Sequence, residues 1–419
     1  MRPSADWSRR AIVTLVGGAV IAVVACGGRR AADTTAEPAS TGAAAPASTS
    51  AATTASTAAP TAPPSARVDL ATPTFSDPTS ITNPLFPIAE LDQVIQLGEE
   101  AGAATRNEVT LLPETKVIEW NGGQVRTVMS QFVAYEDGEV LEIAVDYFAQ
   151  ADDGSVWYFG EDVENYVDGV VDNTVGTWIA GRDGPPGMIM PADPRVGDVY
   201  RPENISGLVF EEVTVKAIEQ TVDGPTGPVD GAVVTEEVLM DGVREDKTFA
   251  PGYGEFSFAV AVDQEAVDMG LAVPTDAAPG AVPTEPSAIS TAVDETLAAV
   301  AADDVSAVEA ALADMRAAWA AYRANVLPPR LEQQLADALD ELSAVATTEN
   351  GLGAETALAA IAVGQAGLDL ELQHRPVADV DHDRLELWQR RLELHQAAGD
   401  DALAAGDQVI IEAIQRRSR

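Results

Sequence analysis

The sequence predicts an α+β protein: an antiparallel β meander curved into a half-barrel, followed by an all-α bundle of four to five helices. Asn-Gly and Asp-Gly pairs punctuate strand-length runs between Thr79 and Val262, a Pro-rich break falls at 272–288, and helical periodicity takes over beyond it. The pairs Asn121-Gly122, Asp137-Gly138, Asp153-Gly154, Asp230-Gly231 and Asp241-Gly242 supply the positive φ that tight β-turns require. Between them lie residues 125–135, 139–147, 156–159, 208–219, 232–240 and 243–249, rich in β-branched and aromatic side chains, which read as successive antiparallel strands. Short turns between such strands favour a meander with one buried face, with a sandwich as the other arrangement open to it.

The β segment is assigned to 79–271 and the linker to 272–288, where Pro274, Pro279, Pro283 and Pro286 punctuate Ala, Thr and Gly. In the segment 289–419, Val305, Val308, Leu312, Met315, Trp319 and Tyr322 step by three and four and draw one apolar stripe along a helix. That helix stops near Pro328-Pro329. Leu331, Leu335, Leu339, Leu342 and Val345 mark a second, closed by Asn350-Gly351. A third runs from Ala354 to about Gln373, a fourth from Asp381 (read as its N-cap) to about Ala398, and a fifth from about Asp401 to Arg417. Their short connections imply antiparallel packing.

Ahead of the β segment stands an address. Arg2, Arg9 and Arg10 precede an apolar stretch of 15 residues from Ala11 to Ala25, and the junction reads Val23-Val24-Ala25-Cys26-Gly27. Fifteen residues fall short of the ~20 that cross a hydrocarbon core, so the stretch reads as a signal-peptide h-region, with an uncleaved anchor as the alternative. The basic n-region fits the general secretory route, and Ser8-Arg9-Arg10 loosely resembles a twin-arginine signal. The junction resembles the lipobox of bacterial lipoproteins, which implies a signal peptide at 1–25 and a diacylglyceryl group on Cys26, the only cysteine. Residues 26–78 are read as a disordered spacer, since 31–66 contains no Val, Leu, Ile, Met or aromatic residue. The expected location is extracytoplasmic, lipid-anchored to the cell membrane, or to the outer membrane of a two-membrane cell.

The chain carries 67 acidic against 25 basic side chains, a formal charge of −42, with Lys116, Lys216 and Lys247 its only lysines. Such a surplus repels nucleic acid and anionic lipid, excluding both as partners, and attracts cations or basic surfaces.

Within the β segment, Asp146-Tyr-Phe-Ala-Gln150, Asp152, Gly154 and Val156-Trp-Tyr-Phe-Gly-Glu161 resemble a motif of uncharacterised exported bacterial proteins. Gly187-Met-Ile-Met-Pro-Ala192, Pro194, Gly197-Asp198, Tyr200-Arg201 and Ala250-Pro-Gly252 with Gly254 extend that resemblance over a little under half the chain. The sequence departs from the pattern at Tyr147-Phe148, where Trp-Tyr is expected, and at Glu255, where an aliphatic residue is expected. The last element also resembles one in half-barrel lipoproteins of the lipoprotein-carrier type, which implies an apolar concave face for acyl chains. From the residues themselves, Asp153-Gly154 is a hairpin turn and Tyr147, Trp157 and Phe159 are cross-strand packing residues.

Candidate chemistry is sparse. There is no Gly-x-Ser-x-Gly elbow, phosphate-binding glycine loop, dinucleotide fingerprint or cysteine pair for zinc, and 67 acids make any carboxylate pair uninformative. Glu371-Leu-Gln-His374 has the carboxylate-x-x-His spacing of di-iron bundles, and His382 lies close by, so Glu371, His374 and His382 form a candidate transition-metal set. Beyond the covalent lipid no cofactor is expected. The reading favoured is a surface lipoprotein acting as a non-catalytic binding or structural module. An apolar or glycan ligand would lie near Tyr147, Trp157, Tyr158 and Trp178. A metal-binding or metal-dependent enzyme centred on the bundle histidines is the alternative. Trp319, Tyr322 and Trp388 are the candidates for docking an envelope protein, against a core role on the apolar stripes.

Overall fold

The computed structural model describes residues 62–277, 280–346 and 352–417, together with the backbone of two short strands, β1 (Ile12–Val16) and β2 (Ala19–Val23), which pair antiparallel. Cys26, the rest of the proposed signal and lipobox, most of the spacer, and the Asn350-Gly351 helix stop lie outside the described residues.

A first meander runs through β3 (Leu91–Glu100), β4 (Ala103–Trp120), β5 (Gly123–Glu136), β6 (Glu139–Gln150) and β7 (Val156–Val167) to β10 (Gly187–Met190). Two short strands, β8 (Val170–Asn173) and β9 (Trp178–Ile179), pair with β7 off the main path. A second meander runs through β11 (Val199–Ile205), β12 (Val209–Gly224), β13 (Gly227–Leu239), β14 (Arg244–Ala250), β15 (Gly254–Val260) and β16 (Glu265–Pro274), and β16 closes back on β3. The result is the predicted α+β architecture, a 14-stranded antiparallel sheet followed by helices.

The sheet curls until its two end strands touch. At Gly187 of β10 an added Cβ would stand 1.8 Å from the Pro202 carbonyl oxygen of β11, so only glycine allows this seam. Turn chemistry sets most of the hairpins: Asn121 and Asp137 adopt positive φ beside Gly122 and Gly138, joining β4 to β5 and β5 to β6. Asp230-Gly231, predicted as a turn, instead lies inside β13 and marks a bulge, with Asp230 facing Thr221 and Ala232 facing Gln220. The actual β12–β13 turn is the Gly224-Pro-Thr-Gly227 stretch. Residues 62–78, assigned by composition to the spacer, lie along the barrel: Phe75 packs edge-on against Trp120 and Phe159, and Thr74 and Ser76 bond Asp152.

Among the described residues six helices follow: α1 (Thr284–Ala301), α2 (Val305–Tyr322), α3 (Pro329–Ala346), α4 (Ala354–Glu371), α5 (Val377–Ala398) and α6 (Asp401–Arg417). The linker shrinks accordingly, because β16 reaches Pro274 and α1 starts at Thr284, with Pro286 tolerated in its first turn. Helix α5 begins at Val377 with Pro376 as its N-cap, so Asp381 is not a cap but a buried residue one turn in.

The helices lie on the outer face of the barrel wall. Ile95, Leu271 and Val273 of the sheet share a core with Ile289, Met315, Leu331 and Leu368, while Val133, Tyr135, Ile143 and Tyr166 pack on Trp388, Ile410 and Ile414. Gly169 in the β7–β8 turn (φ 69°) lets α6 approach, since a Cβ there would meet Gly406 N at 2.2 Å. Among the described residues, no helix is long and apolar enough to cross a membrane.

Candidate functional site: an acid-lined barrel with an apolar mouth

Alternation along the strands sends every second side chain into the barrel. On β6 these are Glu142, Ala144, Asp146 and Phe148, which face Ala134, Phe132, Ser130 and Val128 of β5. Part of the resulting interior is apolar, with Phe132, Ala144, Val163, Leu239, Phe258 and Val267 in one cluster. The rest is acidic. Glu142, Asp146, Glu161, Glu203, Glu211, Glu237, Glu245 and Glu265 are all buried, and Lys247 is fully buried among them.

Lys247 serves one side of this interior. Its Nζ lies 2.8 Å from Glu237, 3.6 Å from Glu255, 3.7 Å from Glu245 and 4.0 Å from Glu211. Burial alone would lower its pKa, but the surrounding carboxylates outweigh that and hold it well above the ordinary lysine value. On the other side, Asp146 accepts hydrogen bonds from Tyr158 Oη (2.8 Å) and Ser130 Oγ (3.4 Å), and Glu203 accepts one from Trp178 Nε1 at 2.7 Å. Burial pushes Asp146 and Glu203 up to about 7, and Glu245 and Glu265 up to about 8. Burial also raises Glu142, Glu161 and Glu211 well above the carboxylate range, with Asp146, Glu203 and Glu237 respectively adding repulsion.

The interior opens at one end. A cavity of about 60 Å³ is lined by Phe86, Pro87, Ile88, Leu91, Val94, Val109, Phe132, Phe148 and Tyr253, with Gln96, Ser130, Asp146 and Glu255 as its polar groups. That is room for a few water-sized groups. The non-strand segment before β3 narrows it: Phe86 stands edge-on to Phe148 with ring centroids 5.0 Å apart.

No protein-family model matches this chain, and neither a curated protein nor a solved structure resembles it significantly. The quoted motif segments nevertheless converge in space. Tyr158 of β7 pairs with Gly187 of β10, β10 meets β11 at the seam, and Asp146, Phe148, Gly254 and Glu255 all line the cavity.

The four aromatic candidates lie in this barrel wall, all buried and each with its polar tip engaged. Tyr158 and Trp178 bond Asp146 and Glu203. Tyr147 donates to Asp162 at 2.6 Å beneath Lys116, and Trp157 Nε1 donates to Ser155. Tyr158 and Trp178 reach interior acids, whereas Tyr147, which alternates with the inward Asp146 and Phe148, turns to the outer face, and none of the four lines the cavity. The sequence reading did not place Phe86, Gln96, Ser130, Asp146 or Glu255 in the site; the available signal was Glu142 and Asp146, which share one face of β6 with Ala144 and Phe148.

The metal candidates do not converge. Glu371 forms an ion pair with Arg375, His374 shares a hydrogen bond with Tyr322 Oη at 3.0 Å, and His382 is exposed. Among the described residues, no group of three or more His, Cys, Asp or Glu has the arrangement of a metal site. Trp319, Tyr322 and Trp388 are buried, and Trp388 stacks on Tyr135.

Where α4, α5 and α6 meet β3 and β4, six charged side chains form a second polar cluster. Arg106 binds Asp369 through both terminal nitrogens, and Arg384 joins Asp369 (2.7 Å) to Asp381 (3.0 Å). Arg417 grips Asp381 at 2.8 Å through two nitrogens and reaches Glu108 at 2.8 Å. Burial would raise Glu108, but Arg106, Arg417 and Arg384 hold it well below the carboxylate range. Three arginines balance three acids, so this cluster is a structural seam between helices and sheet.

Proposed function

We propose that the protein is a cell-envelope lipoprotein, tethered outside the membrane through lipid on Cys26, whose barrel is a non-catalytic module for an apolar ligand. The observation that carries the ligand part is the cavity lined by Phe86, whose wall is mostly apolar with four polar groups, Gln96, Ser130, Asp146 and Glu255, a composition typical of small-molecule sites. Two acyl chains on Cys26, at about 0.8 kcal/mol per buried methylene, would hold such a module at the bilayer.

Two measurements test this reading. Mass spectrometry of the native protein is expected to show cleavage before Cys26 and an acylated thiol; an unmodified Cys26 with residues 1–25 retained would end the anchor assignment. For the ligand, 1-decanol is expected to raise the melting temperature. Phe86→Ala, which removes a buried ring, is expected to cost about 3 kcal/mol of stability and to enlarge the decanol-induced shift by opening the mouth. No decanol shift in either protein would refute the apolar site.

A further inference from the structure

We propose that the ligand of this mouth carries a cationic nitrogen: an alkylammonium whose head docks between Asp146 and Glu255 while its tail lies against Phe86, Ile88, Leu91 and Phe132. This rests on the apolar-site reading above and names the chemical class it selects.

The interior is missing positive charge on one side. Glu142, Asp146, Glu161 and Glu203 are each no more than 1 % exposed, yet no described Lys, Arg or His lies within ion-pairing distance of any of them. Lys247, the one interior cation among the described residues, is taken up by Glu211, Glu237, Glu245 and Glu255. Both carboxyl oxygens of Glu142 lack any hydrogen-bond donor. Burial keeps protons on these carboxyls where ordinary acids have lost them, and a positive group placed among them would displace a proton and pair with the carboxylate left behind. Glu142 stands on the same face of β6 as Asp146, and Glu161 faces Asp146 directly across the β6–β7 ladder. Asp146 is the member of this group that reaches the cavity.

Access follows the same logic. The cavity has room for an ammonium head and little more, so the tail remains among the rim side chains or displaces Phe86. A carboxylate head would face the acids with only Lys247 opposite, already shared by four of them. A surplus of 42 negative charges draws cations toward the molecule before they reach the mouth.

The test compares decylamine, 1-decanol and decanoate, identical in tail length, by calorimetric titration of the folded protein at low salt and again at about 0.15 M. Decylamine is expected to bind at least tenfold more tightly than decanol at both salt concentrations, and decanoate more weakly than either. Asp146→Asn and Glu255→Gln are each expected to erase most of the amine preference, read as the ratio of decylamine to decanol affinity within the same variant. Each removes one of 67 acids, so uptake of amine by the general surface charge would survive both. If Asp146→Asn does not fold, Glu255→Gln, whose side chain is 18 % exposed, reads the same preference. Equal binding of decanol and decylamine, or an amine preference untouched by the variants, overturns the cationic head and leaves the apolar site standing. Failure of all three probes overturns the apolar site itself.

Discussion

Arg384→Met is expected to destabilise the protein by about 3–5 kcal/mol, the range found when one member of a buried ion pair is removed. Arg384 is 2 % exposed and joins Asp369 on α4 to Asp381 on α5 while also donating to Gln93 of β3 at 2.9 Å. Methionine fills comparable volume, so the loss comes from charge: three acids, Asp369, Asp381 and Glu108, remain against Arg106 and Arg417. Asp381→Asn added to Arg384→Met restores the balance at two arginines and two acids. The double variant is therefore expected to recover at least about 1 kcal/mol, a non-additivity typical of shared networks. Urea titrations of the single and double variants provide the measurement. A single-variant loss below about 1 kcal/mol would mean that the helices hold to the sheet through Trp388, Ile410 and Leu331 alone.

Much of the fold is legible in the sequence wherever a local signal and the final pairing agree. Asn121-Gly122, Asp137-Gly138 and Asp241-Gly242 predict turns that join strands in the structure, and the apolar steps from Val308 to Tyr322 predict α2. Strands β3 and β4 escape notice because their outer face carries Gln93, Arg106, Glu108 and Thr110, which pair with distant helices rather than with solvent. Their alternation therefore looks polar on both faces. Pro113, which argues against a strand, sits where the β4–β5 register slips between Leu111 and Thr115, a place where a missing N–H is harmless. Helix α1 is hidden by Pro283 and Pro286, which punctuate a linker when read alone and open a helix in context.

The site is less legible than the fold for one physical reason. Buried acids are rare enough to be informative in most chains, but among 67 acids the ones that turn inward carry no local mark. Two of the four aromatic residues read as a ligand surface are hydrogen-bond donors to those acids: Tyr158 to Asp146 and Trp178 to Glu203. Burial of an unpaired carboxyl becomes visible only once β6, β7 and β11 are wrapped into one wall.

That wrapping has a consequence in solution: the protein is expected to be most stable near pH 5 and to lose stability as pH rises toward 8.5. Asp146 and Glu203 are held up to about 7 by burial, and Glu245 and Glu265 up to about 8, against ordinary values of 3.8 and 4.5. Between about pH 4.5 and pH 8 the native state keeps protons that the unfolded chain gives up, so each upward step in pH favours unfolding. The contribution is complete below the unfolded values and is lost as pH passes through the folded ones. Glu108 works in the opposite sense, since the arginines around it depress its pKa, and its contribution is lost only in stronger acid. His374, lowered by burial, opposes the main trend weakly. Ordinary surface carboxylates are already ionised by about pH 5.5, so the slope above that point belongs to the interior. The four groups together are expected to lower the melting temperature by at least about 5 °C between pH 5.5 and 8.5. Glu203→Gln and Glu245→Gln are expected to flatten this slope, each raising the melting temperature at pH 8.5 relative to pH 5.5. A melting temperature that stays level or climbs over this range would mean that water or a counter-ion reaches these acids, and the dry, acid-lined interior on which ligand selection rests would not exist.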